Sequence, residues 1–383
     1  MINTFLFLSL VFALTFLIGK LIEKIRIPWI FAALMIGFVL ASSNPFSSIT
    51  SSDTFIFLAH LGMYFLLFVI GFEIDLKEIK KNSKFIFKAT FFTIIFATIL
   101  AMPVIYYFFN CSWLVSFLVS LSFATVGEAV LIPILDEFRM VNKKIGQSII
   151  GIGITDDIFE VFALVLMVAI IGYNVHTSLH ISLILISLFV LFILTIGLTR
   201  LKKESEKFHF INIETLFLFS IFILFLFLGV GEYGESAPLA AFLAGISLKT
   251  FIPKERLKLI ESEVKTVCYG LFAPLFFLWV GVTMNMSYLF SHSSLVLIVV
   301  VVSMGAKIMG SYIVGKGELD NKDSLLLGIG LSARFSTSIV IIKILFESNV
   351  ISSGLYSVIV ASTLVLTFLV PILFSWTLSK WKA

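Results

Sequence analysis

Charge is what this chain has least of. Asp, Glu, Lys and Arg make up 13% of it, about half of the roughly 25% found in soluble domains. A water-solvated globule is excluded on that ground. The alternation of apolar and polar residues that marks a membrane-spanning strand is missing as well. "TLFLFSIFILFLFLGVG" is apolar on every face, so a β-barrel is excluded too. Cysteine is rare: the two present, Cys111 and Cys268, fall near opposite membrane faces in the topology below. They cannot pair, and thiol redox chemistry is not expected. The five histidines, His60, His176, His180, His209 and His292, are scattered, mostly near span ends. An interfacial position is expected of them, with pH sensing as the alternative. No metal-ligand spacing, phosphate loop or catalytic triad is present, so neither an enzyme nor a resident cofactor is expected. Finally, "MINTFLFLSLVFALTFLIGK" has no basic residue ahead of its apolar run and no small-residue cleavage site after it. It is expected to be a first span rather than a cleaved leader.

What the chain has instead is hydrophobicity. Apolar residues make up 60% of it, in repeated runs of about 20, the length a helix needs to cross a bilayer. Lipid cannot satisfy backbone polar groups, so the predicted fold is an all-α polytopic membrane protein. About thirteen spans are predicted by hydropathy, at approximately 3–22, 28–43, 54–74, 85–109, 112–137, 145–171, 178–199, 212–229, 236–250, 266–284, 294–315, 323–346 and 354–378.

The basic residues then sort by loop. Lys20, Lys24 and Arg26, the run from Lys77 to Lys88, Arg139 with Lys143 and Lys144, Arg200 to Lys207, Lys249 to Lys265, Lys316 with Lys322, and Lys380 with Lys382 occupy one set. The alternate loops ("SSNPFSSITSSD", "NCS", "GYNVHTSLH", "VGEYGES", "TMNMSYLFSHSS", "ESNVISSG") hold none. The positive-inside rule makes the first set cytoplasmic, with the N-terminus outside and the C-terminus inside. The net charge of +4 is therefore a topology signal, and lipid rather than nucleic acid is the expected partner. No loop exceeds about 15 residues, so no appended soluble or nucleotide-binding domain is expected.

A few charges remain inside the membrane. In "IGITDDIFEVFALVLM" the adjacent Asp156 and Asp157 lie roughly 18–20 Å along a hydrocarbon core about 30 Å thick. Each ionised group there costs about 2.5–3.5 kcal/mol on the insertion scale, so a partner, a bound cation or a proton is required. Adjacent helical residues point about 100° apart, so one aspartate can face a partner while the other faces a cavity. Glu160 is three and four residues on and can share a face with either, which makes it a secondary candidate. Lys307, in "VVSMGAKIMGSYIVGK", is also at mid-depth and has an aspartate as its natural counter-ion. It can be a structural clamp or a proton carrier. Lys343, near the outer end of its helix, is expected to snorkel.

Two spans look interrupted. "VSLSFATVGEAVLIPIL" places Thr125, Gly127 and Glu128 in mid-span, and "LLLGIGLSARFSTSIVII" places Ser332, Arg334, Ser336, Thr337 and Ser338 there. Small and hydroxyl residues at depth are where a helix can unwind and offer oxygens to a cation; the alternative is ordinary small-residue packing. Each interruption is the middle span of a three-span set, 85–171 and 294–378, and the two run in opposite directions. That is the pattern of an inverted repeat with its site at the midplane.

Taken together, these stretches resemble bacterial monovalent cation/proton antiporters, specifically the CPA2-type branch with paired aspartates. "GFEIDLKEIKK", "FATVGEAVLIPILDEF", "GIGITDDIFEVFALVL", "LFAPLFFLWVGVTMN" and "GLSARFSTSIVI" carry the resemblance over most of the chain, and the Asp-Asp helix combined with Lys307 is its most specific part. The resemblance implies two crossed discontinuous helices and a homodimer in the bacterial inner membrane. It implies a mobile core, about 85–171 and 294–378, working against a dimerisation scaffold, about 3–74 and 212–284, with a linker helix at 178–199. It also implies that Asp157 binds cation or proton, that Asp156 pairs with Lys307, and that Thr125 and the helix dipoles complete the crossing. The chain departs from the family pattern where Arg334 is followed by Phe335 and Ser336 rather than Gly-Glu, and where the first interruption carries Glu128. Glu128 is expected to replace the missing acid and neutralise Arg334.

The chemistry fits antiport on its own terms. A carboxylate that holds a cation or a proton, never both, couples two opposed fluxes. Sodium or lithium would draw oxygens from Asp157, from Asp156 or Thr155, and from nearby hydroxyls or water. A potassium/proton exchanger of the same fold is the alternative. An intramembrane aspartyl protease needs two aspartates on separate spans, yet Asp53, Asp75, Asp136, Asp320 and Asp323 all fall at the surfaces. A passive channel would leave the trapped Asp and Lys charges unexplained.

Overall fold

The computed structural model describes residues 3–24, 27–73, 84–127, 131–132, 135, 139–156, 159, 181–200, 212–233, 236–334 and 336–382. In chain order the helices that matter here are α1 (Thr4–Glu23), α2 (Phe31–Ser42), α3 (Ser47–Thr50), α4 (Asp53–Glu73), α5 (Lys84–Phe109) and α6 (Trp113–Leu121). Residues 144–156 form α7. There follow α8 (Ile181–Arg200), α9 (Ile213–Glu232), α10 (Ala237–Phe251), α11 (Lys254–Val267), α12 (Ala273–Val282) and α13 (Met286–Ser291). The last four are α14 (Ser293–Gly315), α15 (Asn321–Gly330), α16 (Ser336–Glu347) and α17 (Ser353–Lys382). Among the described residues, seven helical segments are long and apolar enough to cross a membrane.

Local chemistry sets several of the ends. Asn3, Ser112 and Asp320 each accept a backbone N–H from the first turn of α1, α6 and α15, satisfying donors that a helix start leaves open. At the other end of α4 the Lys249 ammonium donates to the Glu73 carbonyl over 2.7 Å, where the helix dipole favours a cation.

The helices pack as two groups. In the first, α4 lies against α10 and α12, α2 against α12, and α8 and α9 against α10. In the second, α14 lies against α5, α15 and α17, with α6 on α5 and α16 on α17. Lipid gives no hydrophobic drive between helices, so close backbone contact has to hold them together. Glycine supplies it at two crossings in the first group, Gly37 with Gly281 between α2 and α12, and Gly71 with Gly245 between α4 and α10. At each, an added Cβ would run into the facing backbone.

The tenth predicted span starts earlier than expected. Helix begins at Lys254 rather than near 266 and runs through a single π turn, Cys268–Phe272, into α12. Charge made residues 254–265 read as loop, but Ile260, Val264 and Cys268 recur every four residues and are buried. That spacing is one helical stripe. The short helices α3 and α13 likewise fall in stretches predicted as loops.

Candidate functional site

Two of the helices stop in mid-span. After α6 ends at Leu121, residues 122–127 leave the α-helical path. After α15 ends at Gly330, helix resumes only at Ser336. Hydroxyl groups help the chain leave the helix: Ser122 donates to the Val119 carbonyl, Thr125 to the Ser122 carbonyl at 3.0 Å, and Ser332 to the Gly328 carbonyl. Unwinding frees backbone groups that cannot stay unpaired in a dry interior. The site is the set of residues that pairs them.

Several freed groups near the first interruption have partners. The Gly127 N–H donates to the Ala333 carbonyl at 2.8 Å, joining the two interrupted segments directly. The Val126 N–H donates to the Asp156 carboxylate, which comes from α7. The Ala124 carbonyl accepts from the Lys307 ammonium, and the Phe123 carbonyl accepts from the Arg334 guanidinium at 3.3 Å. That guanidinium also lies over the Phe123 ring, 4.4 Å from its centroid, and donates to the Ser303 hydroxyl. The Arg334 carbonyl accepts from Thr367 on α17 at 3.1 Å. Two cations therefore stand in for lost helical donors.

Asp156, Lys307 and Arg334, all near mid-depth in the sequence reading, are buried and meet at one place. Asp156 and Lys307 lie within electrostatic reach of each other. Asp156 Oδ2 and Arg334 Nη1 have no hydrogen-bond partner among the described residues. The Thr155 hydroxyl donates to the Gly151 carbonyl at 2.7 Å. Thr125 is buried beside the same interruption and Thr337 is half-buried in the first turn of α16. Ser336 opens α16. Asp157, Glu128 and Glu160 lie outside the described residues.

One expectation is corrected. Lys343 does not snorkel: its side chain is fully buried, pairs with Glu347 at 2.9 Å, and lies 3.6 Å from the centroid of the Trp279 ring. The bulky aromatic wall around it blocks the route to water. The sequence reading also passed over Ser303, Phe123 and Thr367, which hold Arg334. Ser303 precedes Lys307 by four residues, one helical turn, and that spacing was the available signal.

Membrane-length helices around buried opposite charges, gathered where two of the helices break off, define a membrane carrier for small ions. Residues 10–380 match the family described as sodium/hydrogen exchanger, transmembrane. The chain belongs to that family: it is a multi-pass membrane protein of sodium/proton antiporters, transporters rather than enzymes. Among its relatives, a probable Na(+)/H(+) antiporter 3 of Methanocaldococcus jannaschii is 25% identical, covering 95% of this chain and 94% of its own. The Na(+)/H(+) antiporter of Enterococcus hirae is 23% identical over 97% of each. GerN of Bacillus cereus, described as a Na(+)/H(+)-K(+) antiporter, is 21% identical over 97% of this chain and 95% of its own. The fold is that of the sodium proton antiporter MjNhaP1 from Methanocaldococcus jannaschii, with a TM-score of 0.68 at 20% identity over 97% of this chain and 98% of that one.

Proposed function

We propose that this chain is a secondary active antiporter that exchanges sodium, or lithium, for protons at a midplane site built on Asp157 and Asp156, with Thr155 as a further oxygen. The observation that carries the reading is the buried Asp156 carboxylate. One of its oxygens holds the unwound Val126 N–H and the other has no protein partner among the described residues. An acid so placed needs a cation or a proton on the open side. Lys307 limits the cost of Asp156 by attraction and occupies the Ala124 carbonyl, so Asp157 next to it is the group left to exchange its load. Thr125, Ser336 and Thr337 line the crossing of the two discontinuous helices, Glu128 neutralises Arg334, and Glu160 is the reserve carboxylate.

Transport then proceeds by movement of the second packing group, the core, against the first, the scaffold, exposing the site to each side in turn. The working unit is a homodimer in the bacterial inner membrane, N-terminus outside and C-terminus cytoplasmic. A potassium/proton exchanger is the second reading, favoured by the similarity to a relative described as handling both sodium and potassium.

The test is flux in proteoliposomes with a pH dye inside and an imposed pH gradient, to which Na⁺, Li⁺ or K⁺ is added. Proton movement driven by sodium or lithium and lost in Asp157→Asn is expected. Movement with potassium alone would favour the second reading, and undiminished exchange in Asp157→Asn would move the site elsewhere.

A further inference from the structure

A second cluster of charge sits apart from the site, at the end of the molecule away from the basic loops. Lys343, near the end of α16, is enclosed by the rings of Trp279, Phe346 and Tyr356 at 3.6, 5.1 and 5.3 Å to their centroids. Its ammonium donates to the Thr283 hydroxyl at 3.0 Å and pairs with Glu347 one turn on. The other Glu347 oxygen is 3.9 Å from His60 Nε2 on α4. The His60 ring packs edge-on against Trp279 and stacks on Tyr64. His60 and Glu347 are 30% and 35% exposed.

These contacts join the two packing groups. Lys343, Phe346 and Glu347 belong to α16, whereas His60 and Tyr64 belong to α4 and Trp279 to α12. Nearby, the Tyr356 hydroxyl on α17 donates to the Val280 carbonyl at 2.9 Å, and Ser357 accepts the Asn285 N–H. If the groups move against each other, this end has to part. The inference rests on that motion and so on the function proposed above.

We propose that His60, Glu347 and Lys343 form a proton-controlled latch that holds the outer ends of α4 and α16 together when His60 is protonated. Glu347 then bridges two cations, one on each group. As pH rises through the titration of His60, the bridge loses its α4 partner and Glu347 pairs with Lys343 alone, within α16. Of the Lys343 cage, Phe346 and Tyr356 stay with the second group, whereas the contacts to Trp279 and Thr283 cross to the first and part with it. The other titratable groups at this cluster among the described residues are Tyr64 on α4, which stacks on His60 and lies near Glu232, and Tyr356 on α17, which lies near Glu347. Both tyrosines ordinarily titrate near pH 10, well above histidine, so neither duplicates the switch.

The latch can be read without transport. Spin labels at Thr54 and Ser348, in a Cys111→Ser, Cys268→Ala background, report the distance between the ends of α4 and α16 in reconstituted protein. Between about pH 9 and about pH 5 the short-distance population is expected to gain about two- to fivefold over the long one, the yield of a partly exposed ion pair. His60→Gln and Glu347→Gln are each expected to abolish that response while leaving a single folded species. A wild-type distance that ignores pH, or a full response in His60→Gln, would overturn the latch. Absence of sodium-driven proton exchange with the pH response intact would instead overturn the transport reading and leave the switch standing.

Discussion

Asp156 is held by one backbone N–H and by the field of Lys307, and Lys307 in turn occupies a carbonyl that the helix has released. Removing either charge alone leaves the other buried without its partner, which costs about 3–5 kcal/mol for a buried pair. Removing both should cost less than the sum. Thermal unfolding in detergent of Asp156→Asn, Lys307→Met and the double variant is therefore expected to show coupling of about 1–3 kcal/mol; strict additivity would mean that the two charges act independently. Depth made these residues legible in the sequence, because a charge 18–20 Å into a span is conspicuous whatever it touches. Ser303, Phe123 and Thr367 were not legible, since a serine, a phenylalanine and a threonine are ordinary in any membrane helix. Only the fold shows that they hold Arg334. Lys343 was misjudged because a lysine near a helix end ordinarily reaches water, and the aromatic wall that prevents it comes from α12 and α17.

At the scale of the helix, the interruptions were visible as runs of Gly, Ser and Thr, and among the described residues helix is absent at 122–127 and 331–334, whereas Ser336, Thr337 and Ser338 are helical. The extent of the helix before α12 was not, because its charged face masked the buried stripe of Ile260, Val264 and Cys268. Nor did the sequence show which glycines carry contacts. A Cβ at Gly281 would lie 2.6 Å from both the Leu34 carbonyl oxygen and the Phe38 nitrogen, whereas one at Gly229 meets nothing within 4 Å. Gly281→Ala is expected to destabilise the protein by about 1–3 kcal/mol, as overpacking does. Gly229→Ala is expected to be neutral. Equal melting temperatures for the two variants would show that the α2–α12 crossing is not the constraint the geometry makes it.

For the whole molecule, composition and loop charge were enough to read a many-helix membrane protein, and the family match and the fold agree with that reading. The partition into two packing groups needed the structure, because it depends on which faces meet rather than on which residues are apolar. What links the scales in the proposed function is one exchange rule: the site takes a cation or a proton, never both. That rule is most directly tested by sodium binding to the detergent-solubilised protein in weakly buffered solution, followed with a pH electrode and a calorimeter. Sodium should release protons, and its affinity should fall toward tenfold per unit as pH drops below the pKa of the site. Asp157→Asn should show neither effect. Sodium binding that is independent of pH, or that persists with proton release in Asp157→Asn, would contradict a shared carboxylate at this position.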